Sequence, residues 1–299
     1  MSGKSICAII LVIIAVAIFV PFGSSDHVGG TSDVVVTYGE TTYNNAEYKQ
    51  IVNNYFNVNN AKESVITAND VNKISSDISQ RTYNSNQIFS CAMVDVSGNN
   101  NIDIDVDTSK ITTVTPSMYK SALDSAGITK GHVKITSPVS ATGESALAGI
   151  MQSYEESTGT KIPDKVKDAA NNEIYTQSEV AQNSNASADD IAKMMDTVKE
   201  EVAKENTTDA GKITNIVNNV ASNNNIQISN NDINILVNSI QQTQSVKDQA
   251  SQYQSQLSGY VNSGAAQSIF DRAIAFINSI INPTNKVGNT NTTNNSSNY

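Results

Sequence analysis

Basic clusters, paired cysteines and histidines are what this chain lacks, and each shortage removes a class of chemistry. The 299 residues carry 19 Lys and Arg against 29 Asp and Glu, a formal charge of −10. No Arg/Lys cluster occurs, so the basic face that a nucleic acid requires is missing and no nucleic-acid partner is expected. The two cysteines are Cys7, inside an apolar run, and Cys91, in a predicted strand of an exported body. Pairing them would cross a membrane boundary, so neither a disulfide nor a cysteine metal site is expected. Of the two histidines, His27 falls in a polar tether and His132 at a strand start. A Ser–His–Asp triad would depend on His132, and no G-x-S-x-G elbow offers it a nucleophile. Nucleotide-binding glycine loops are absent as well, and no cofactor is implied.

Apolar residues amount to 38% of the chain, but they are clustered and periodic, so a core can form. Ile6–Phe22 is an uninterrupted apolar run with Lys4 before it and Asp26 after it. Its length is near the lower end of what crosses a bilayer. Lys4 and the terminal amine favour an N-terminus inside the cell, which makes residues 1–22 a single-pass anchor with the remainder outside. The competing reading is a signal peptide cleaved at Ala15-Val16-Ala17. That cut would leave Ile18-Phe19-Val20 at the new terminus, so the uncleaved transmembrane helix is preferred.

Residues 23–32 read as a flexible tether of glycine and small polar residues. Residues 33–160 then mix strands and helices. A β-branched strand ends at Gly39, an amphipathic helix covers Ala46–Phe56, and Val65-Ile66 precedes a helical turn opened by Thr67 or Asn69. Ile88–Val96 and Ile102–Val106 flank a turn-rich loop and read as a β-hairpin, and Ile111–Val114 as a further strand. The best-punctuated stretch is Thr115–Gly159. Thr115 is an N-cap, Pro116 takes the first helical position and Gly127 stops the helix. Val133 and Ile135 alternate with polar neighbours in a strand that Pro138 closes. A second helix begins at Thr142-Gly143 and ends at Gly159. The expected fold class is α+β, a small sheet with helices on one face.

Residues 161–282 read as a helical region: Pro163–Gln182, Ala188–Lys204, Asp209–Ala221, Asn230–Thr243, Val246–Asn262 and Ala265–Ile281. Ser187 with Asp190, and Ser229 with Asp232, have the spacing of acidic capping boxes. The stripes Ile213, Ile216, Val217, Val220 and Ile233, Leu236, Val237, Ile240 pack on each other or on a second copy of the chain. Residues 283–299 are a polar Asn/Thr/Ser tail expected to be disordered.

The stretch TPSMYKSALDSAGI, followed by VKITSPVSATGESALAGI and SYEESTG, resembles the core of the YpuA-like family, a domain of unknown function (DUF1002). The likeness reaches upstream through VVVTYGE and IFSCAMVDV and covers about Val34 to Glu201. It departs from the family at Ala141-Thr142, where one small residue usually precedes the glycine, and in a surface richer in Asn. The resemblance implies an exported prokaryotic protein with an α/β core, and it implies no reaction and no site residues.

Candidate chemistry is sparse. Ser117 and Lys120 fit S-x-x-K, which sets a lysine one helical turn from a serine nucleophile, but S-D-N and K-T-G are missing. Asp103, Asp105 and Asp107 lie at period two and offer oxygen ligands to calcium. The EF-hand pattern fails, with Thr108 at its glycine and Val114 at its glutamate. The plainer reading of that segment is a half-buried strand with solvated aspartates. Gly143 opens a helix whose N-terminus suits an anion, and Gly149 permits close helix packing. Glu155-Glu156 read as a solvated pair. N-glycosylation sequons start at Asn185, Asn206, Asn291, Asn294 and Asn295. No catalytic or metal residue is assigned. The expectation is a non-enzymatic surface module in the cell membrane, binding a protein or envelope partner. The alternatives are a serine hydrolase using Ser117 and Lys120, or a calcium-dependent module using Asp103, Asp105 and Asp107.

Overall fold

The structure, a computed structural model, describes residues 32–59, 61–75, 82–98 and 100–262. The anchor, the tether before Ser32, Cys7, His27, the helix expected at Ala265–Ile281 and the polar tail lie outside these residues. Among the described residues no helix is long and apolar enough to cross a membrane.

Five strands make one mixed sheet: β1 (Val34–Gly39), β2 (Lys62–Ile66), β3 (Cys91–Asp95), β4 (Asp103–Val106) and β5 (His132–Thr136), in the order β2-β1-β3-β5-β4. The expected hairpin between β3 and β4 does not form. β5 lies between them, antiparallel to β3 and parallel to β4, with Val133 opposite both Val94 and Ile104. The physical reason is burial. Val133 and Ile135 are fully buried, and the central position shields their backbone on both sides. The segment read as a strand at Ile111–Val114 makes only an isolated bridge, Ile111 to Ala141.

The helices are α1 (Glu40–Tyr43), α2 (Ala46–Phe56), α3 (Ala68–Ser75), α4 (Pro116–Ser125), α5 (Glu144–Thr158), α6 (Asp164–Asn183), α7 (Ala188–Glu205), α8 (Ala210–Asn223) and α9 (Asn230–Asn262). The sheet is covered on both faces, not on one. Ala92, Val94, Val133 and Ile135 pack with Met118 and Leu123 of α4 and Leu147 and Ile150 of α5. On the other face Val36, Tyr38, Cys91 and Met93 meet Val52 and Phe56 of α2. Period-two alternation supplies both sets. β3 is apolar on its two sides, with Ala92 and Val94 on one and Cys91 and Met93 on the other, while β5 is apolar only on the side of Val133 and Ile135 and carries His132 and Lys134 on the other.

Local signals operate as the residues suggest. Thr115 accepts from Met118 N with Pro116 in the first turn, and Asp70 accepts from both Thr67 N and Thr67 Oγ1 to open α3. Gly127 has φ +74°, and a Cβ there would lie 2.1 Å from Ala250 O, so this stop signal is also where α9 presses on the α4 turn. At Gly149 a Cβ would sit 3.3 Å from Thr37 Cγ2, the close approach expected of it.

A second core joins Val180 of α6 to Ile191, Met195 and Val198 of α7, to the α8 stripe and to the first half of α9. The stripes of α8 and α9 thus pack on each other. Both α6 and α9 contribute to the two cores, for Val166 and Ile174, and Val246 to Val261, belong to the first. The two helices expected at Asn230–Thr243 and Val246–Asn262 are one helix of 33 residues. Thr243 interrupts the apolar stripe in sequence, yet it is buried and returns its hydroxyl to Ile240 O at 2.9 Å. With no Gly or Pro at this point, the backbone continues.

Candidate functional site

Of the residues singled out in sequence, the structure brings together Asp103, Asp105 and His132. Ser117 is half-buried in the first turn of α4, and Lys120 is exposed and pairs with Asp124 one turn on. Asp103 and Asp105 point outward from β4 beside His132 of β5, whose Nε2 lies 3.8 Å and 3.1 Å from their carboxylates. Asp107 turns to other work. It accepts from Ser109 Oγ at 2.6 Å and from Thr136 Oγ1 at 2.7 Å, fixing the turn after β4. Burial raises the Asp107 pKa, but the Ser109 and Thr136 hydrogen bonds outweigh it and leave the value lowered. Among the described residues no group of three His, Cys, Asp or Glu is arranged to hold a metal ion.

Other readings are also resolved by partners. Glu155 and Glu156 are not a solvated pair. Glu155 takes Lys167 at 3.1 Å and Ile162 N at 2.9 Å, while Glu156 takes Lys62 at 2.9 Å and the Ser64 hydroxyl. The anion suited to the α5 N-terminus is supplied by the protein itself, since Glu144 occupies the first turn and accepts from Ser178 Oγ at 2.7 Å. Cys91 is a buried free thiol whose pKa burial pushes up to about 12. Sequon residue Asn185 is exposed but committed, accepting Gln227 N at 2.8 Å, and Asn206 accepts from Lys247 Nζ at 2.8 Å. The remaining sequons lie outside the described residues.

What the fold assembles instead is a charged network where α4, α6 and α7 meet. Lys199 of α7 reaches Glu173 Oε1 at 2.7 Å, Ser121 Oγ at 2.9 Å and Ser125 Oγ at 3.0 Å. It also meets Ser121 O at 3.0 Å and Asp196 Oδ1 at 3.1 Å. Ser121 lies within donating distance of Glu173 (2.7 Å) and Asp196 (2.5 Å), and Ser125 donates to Glu173 Oε2 at 2.5 Å. Glu173 and Ser121 are fully buried. Buried polar residues of α6 find partners on neighbouring helices, Asn172 in Gln242 at 2.5 Å and Ser178 in Glu144 at 2.7 Å, while Gln177 Oε1 has none among the described residues. An open cavity of about 480 Å³ lies over the network, lined by Ser125, Asp196, Lys199 and Lys247, with Lys120 and Asp124 at its edge.

A lysine beside two serines is the geometry of a nucleophile and its base, so the protonation state decides what the site can do. Burial lowers the Lys199 pKa, yet Glu173 and Asp196 outweigh burial and hold it above the usual 10.5. A charged ammonium accepts no proton, and the serine hydroxyls are already directed at carboxylates. The network is a clamp fastening α4 to α6 and α7. The sequence carried one hint of it, a glutamate on the otherwise enclosed face of α6 that needs a cation.

An α+β domain with a five-stranded mixed sheet followed by helices is therefore the class of the molecule. Residues 38–260 match the family model described as a protein of unknown function, DUF1002, and the chain belongs to that family. It is also similar to the uncharacterized protein YpuA of Bacillus subtilis (strain 168), with 30% identity over 190 residues. That alignment covers 60% of this chain and 64% of the relative, so the chain spans less than two thirds of the relative's length. The family match runs past Glu201, where the sequence resemblance fades, and takes in the helices up to residue 260. No solved structure matches the chain.

Proposed function

We propose that this chain is a membrane-anchored extracytoplasmic protein whose folded body is a non-enzymatic binding or envelope-associated module. Residues 1–22 hold it in the cell membrane with the N-terminus inside, and the body meets a protein or envelope component outside. The observation that carries the non-enzymatic reading is the closure of the Lys199 network, in which the ammonium is held charged by two carboxylates and the serine hydroxyls are directed at those same carboxylates. Export is supported by the apolar run Ile6–Phe22 with Lys4 on its inner side. Association with a second copy would use surfaces other than the α8 and α9 stripes, which are spent in the second core.

The test is topology in a Gram-positive host. The full chain with a C-terminal epitope is expected in the membrane fraction, and protease added to intact cells is expected to remove the epitope. An epitope that is soluble and protected until lysis would overturn the reading.

A further inference from the structure

We propose that the groove at the end of α2 is a binding site for a neutral oligosaccharide; this deepens the binding-module reading and rests on it. The groove, about 450 Å³, lies where the last turn of α2 passes the β1–β2 side of the sheet. Its polar walls are Asn53, Asn54, Asn57 and Asn59 with Tyr38 and Glu63, over a small apolar floor that includes Val36 and Ala61.

The hydrogen-bonding capacity of these walls is largely unspent. Tyr38 OH donates to Asn53 Oδ1 at 2.6 Å, which fixes that amide and leaves its Nδ2 as a donor. The side chains of Asn54, Asn57 and Asn59 are exposed and make no hydrogen bond among the described residues. A carboxamide presents a donor and an acceptor side by side in one plane, the spacing that two adjacent sugar hydroxyls match. Asn54, Asn57 and Asn59 repeat that pairing along the groove, and Asn53 adds a donor.

Behind the lining residue Tyr38 stands a second ring, Tyr43. Tyr43 is 41% exposed, and its ring centroid lies 5.9 Å from that of Tyr38. Lys49 Nζ sits 4.6 Å from the Tyr43 ring and 5.0 Å from the Tyr38 ring, and pairs with Glu63 at 2.6 Å. Aromatic side chains combine a large apolar surface with a polar tip, which suits the carbon–hydrogen face of a pyranose ring. The charges indicate which ligand fits. Lys49 is neutralised by Glu63, so a phosphate or an acidic polymer would find no uncommitted cation. The apolar floor is too small for a hydrophobic peptide anchor. A hydroxyl-rich, uncharged ligand satisfies the walls without stranding a charge.

The experiment is calorimetric titration of the purified full chain with chitohexaose and, separately, with maltohexaose. At least one is expected to bind with a Kd of about 1 mM or tighter. The double variant Asn54→Ala/Asn57→Gly is expected to weaken that binding about tenfold, with glycine at 57 keeping the left-handed φ of +49°. If that variant does not fold, Tyr43→Ala removes an exposed ring and carries the same expectation. Failure of both sugars to bind, or binding that these variants leave unchanged, overturns the site. A chain that sits outside the cell but ignores both sugars loses this site alone. A chain found inside that binds through the groove loses the export reading alone.

Discussion

Lys199 of α7 and Glu173 of α6 meet at 2.7 Å, and the glutamate has no exposed surface. The second half of α6, the connection after it and more than half of α7 lie between them, so the contact belongs to the tertiary fold. Removing only the cation leaves a buried carboxylate with serine and amide donors, which costs about 3–5 kcal/mol. Lys199→Met is therefore expected to lower the unfolding free energy by about that amount in urea titration, and Glu173→Gln added to it should restore part of the loss. Because the Lys199 pKa is raised, its contribution is complete below 10.5 and is lost as pH climbs through the folded value. Stability followed from neutral to strongly alkaline pH should fall more steeply in the native chain than in Lys199→Met.

Two glycines should respond in opposite directions. Gly127→Ala forces a side chain into a positive φ and against the Ala250 carbonyl, and should destabilise by about 2 kcal/mol or more. Gly259 lies in α9 with nothing within 4 Å of a built Cβ. Its replacement by alanine should stabilise by about 0.5–1 kcal/mol. Thermal melts of the pair settle the comparison.

Acid should weaken the sheet side of the molecule through Asp107 and Glu156. For each, burial raises the pKa but hydrogen bonds to Ser109 and Thr136, or to Ser64 and Lys62, leave it below the ordinary 3.8 or 4.5. A depressed folded pKa means the stabilisation is present above those ordinary values and fades as pH falls through the lowered ones. Asp107→Asn and Glu156→Gln should each be less stable at neutral pH and lose less on acidification, as read by denaturant unfolding at several pH values.

A serine-reactive fluorophosphonate tests the clamp as chemistry. Neither Ser117, whose motif partner Lys120 is tied to Asp124, nor Ser125, whose hydroxyl is directed at Glu173, is expected to react. Labelling of the native chain that disappears in Ser117→Ala or Ser125→Ala would establish a nucleophile and reverse the non-enzymatic reading.

Calcium offers a parallel test. Asp107 is withdrawn into the Ser109–Thr136 turn, so Asp103 and Asp105 stand without the third carboxylate. Melting temperatures in millimolar calcium and in chelator should coincide, because a ligand of the native state would raise the first. A rise in calcium that Asp103→Asn abolishes would restore that alternative.

Helix termini were legible from the residues alone, for a physical reason. Thr115 before Pro116 and Ser187 with Asp190 satisfy backbone groups within three or four residues, so neighbours in sequence suffice to read them. Of the two openings offered for α3, Thr67 and Asn69, the structure uses Thr67. The same locality explains why Val133 and Ile135 announce a strand. Only tertiary packing decided which strands they join, since β5 separates two segments that a short turn-rich loop made look like hairpin partners. The second layer on the sheet, the continuity of α9 through Thr243, and the meeting of Lys199 with Ser121 across 78 positions were decided in the same way. These depend on burial and on charge compensation between distant segments, whose free energy exists only once the chain has closed on itself.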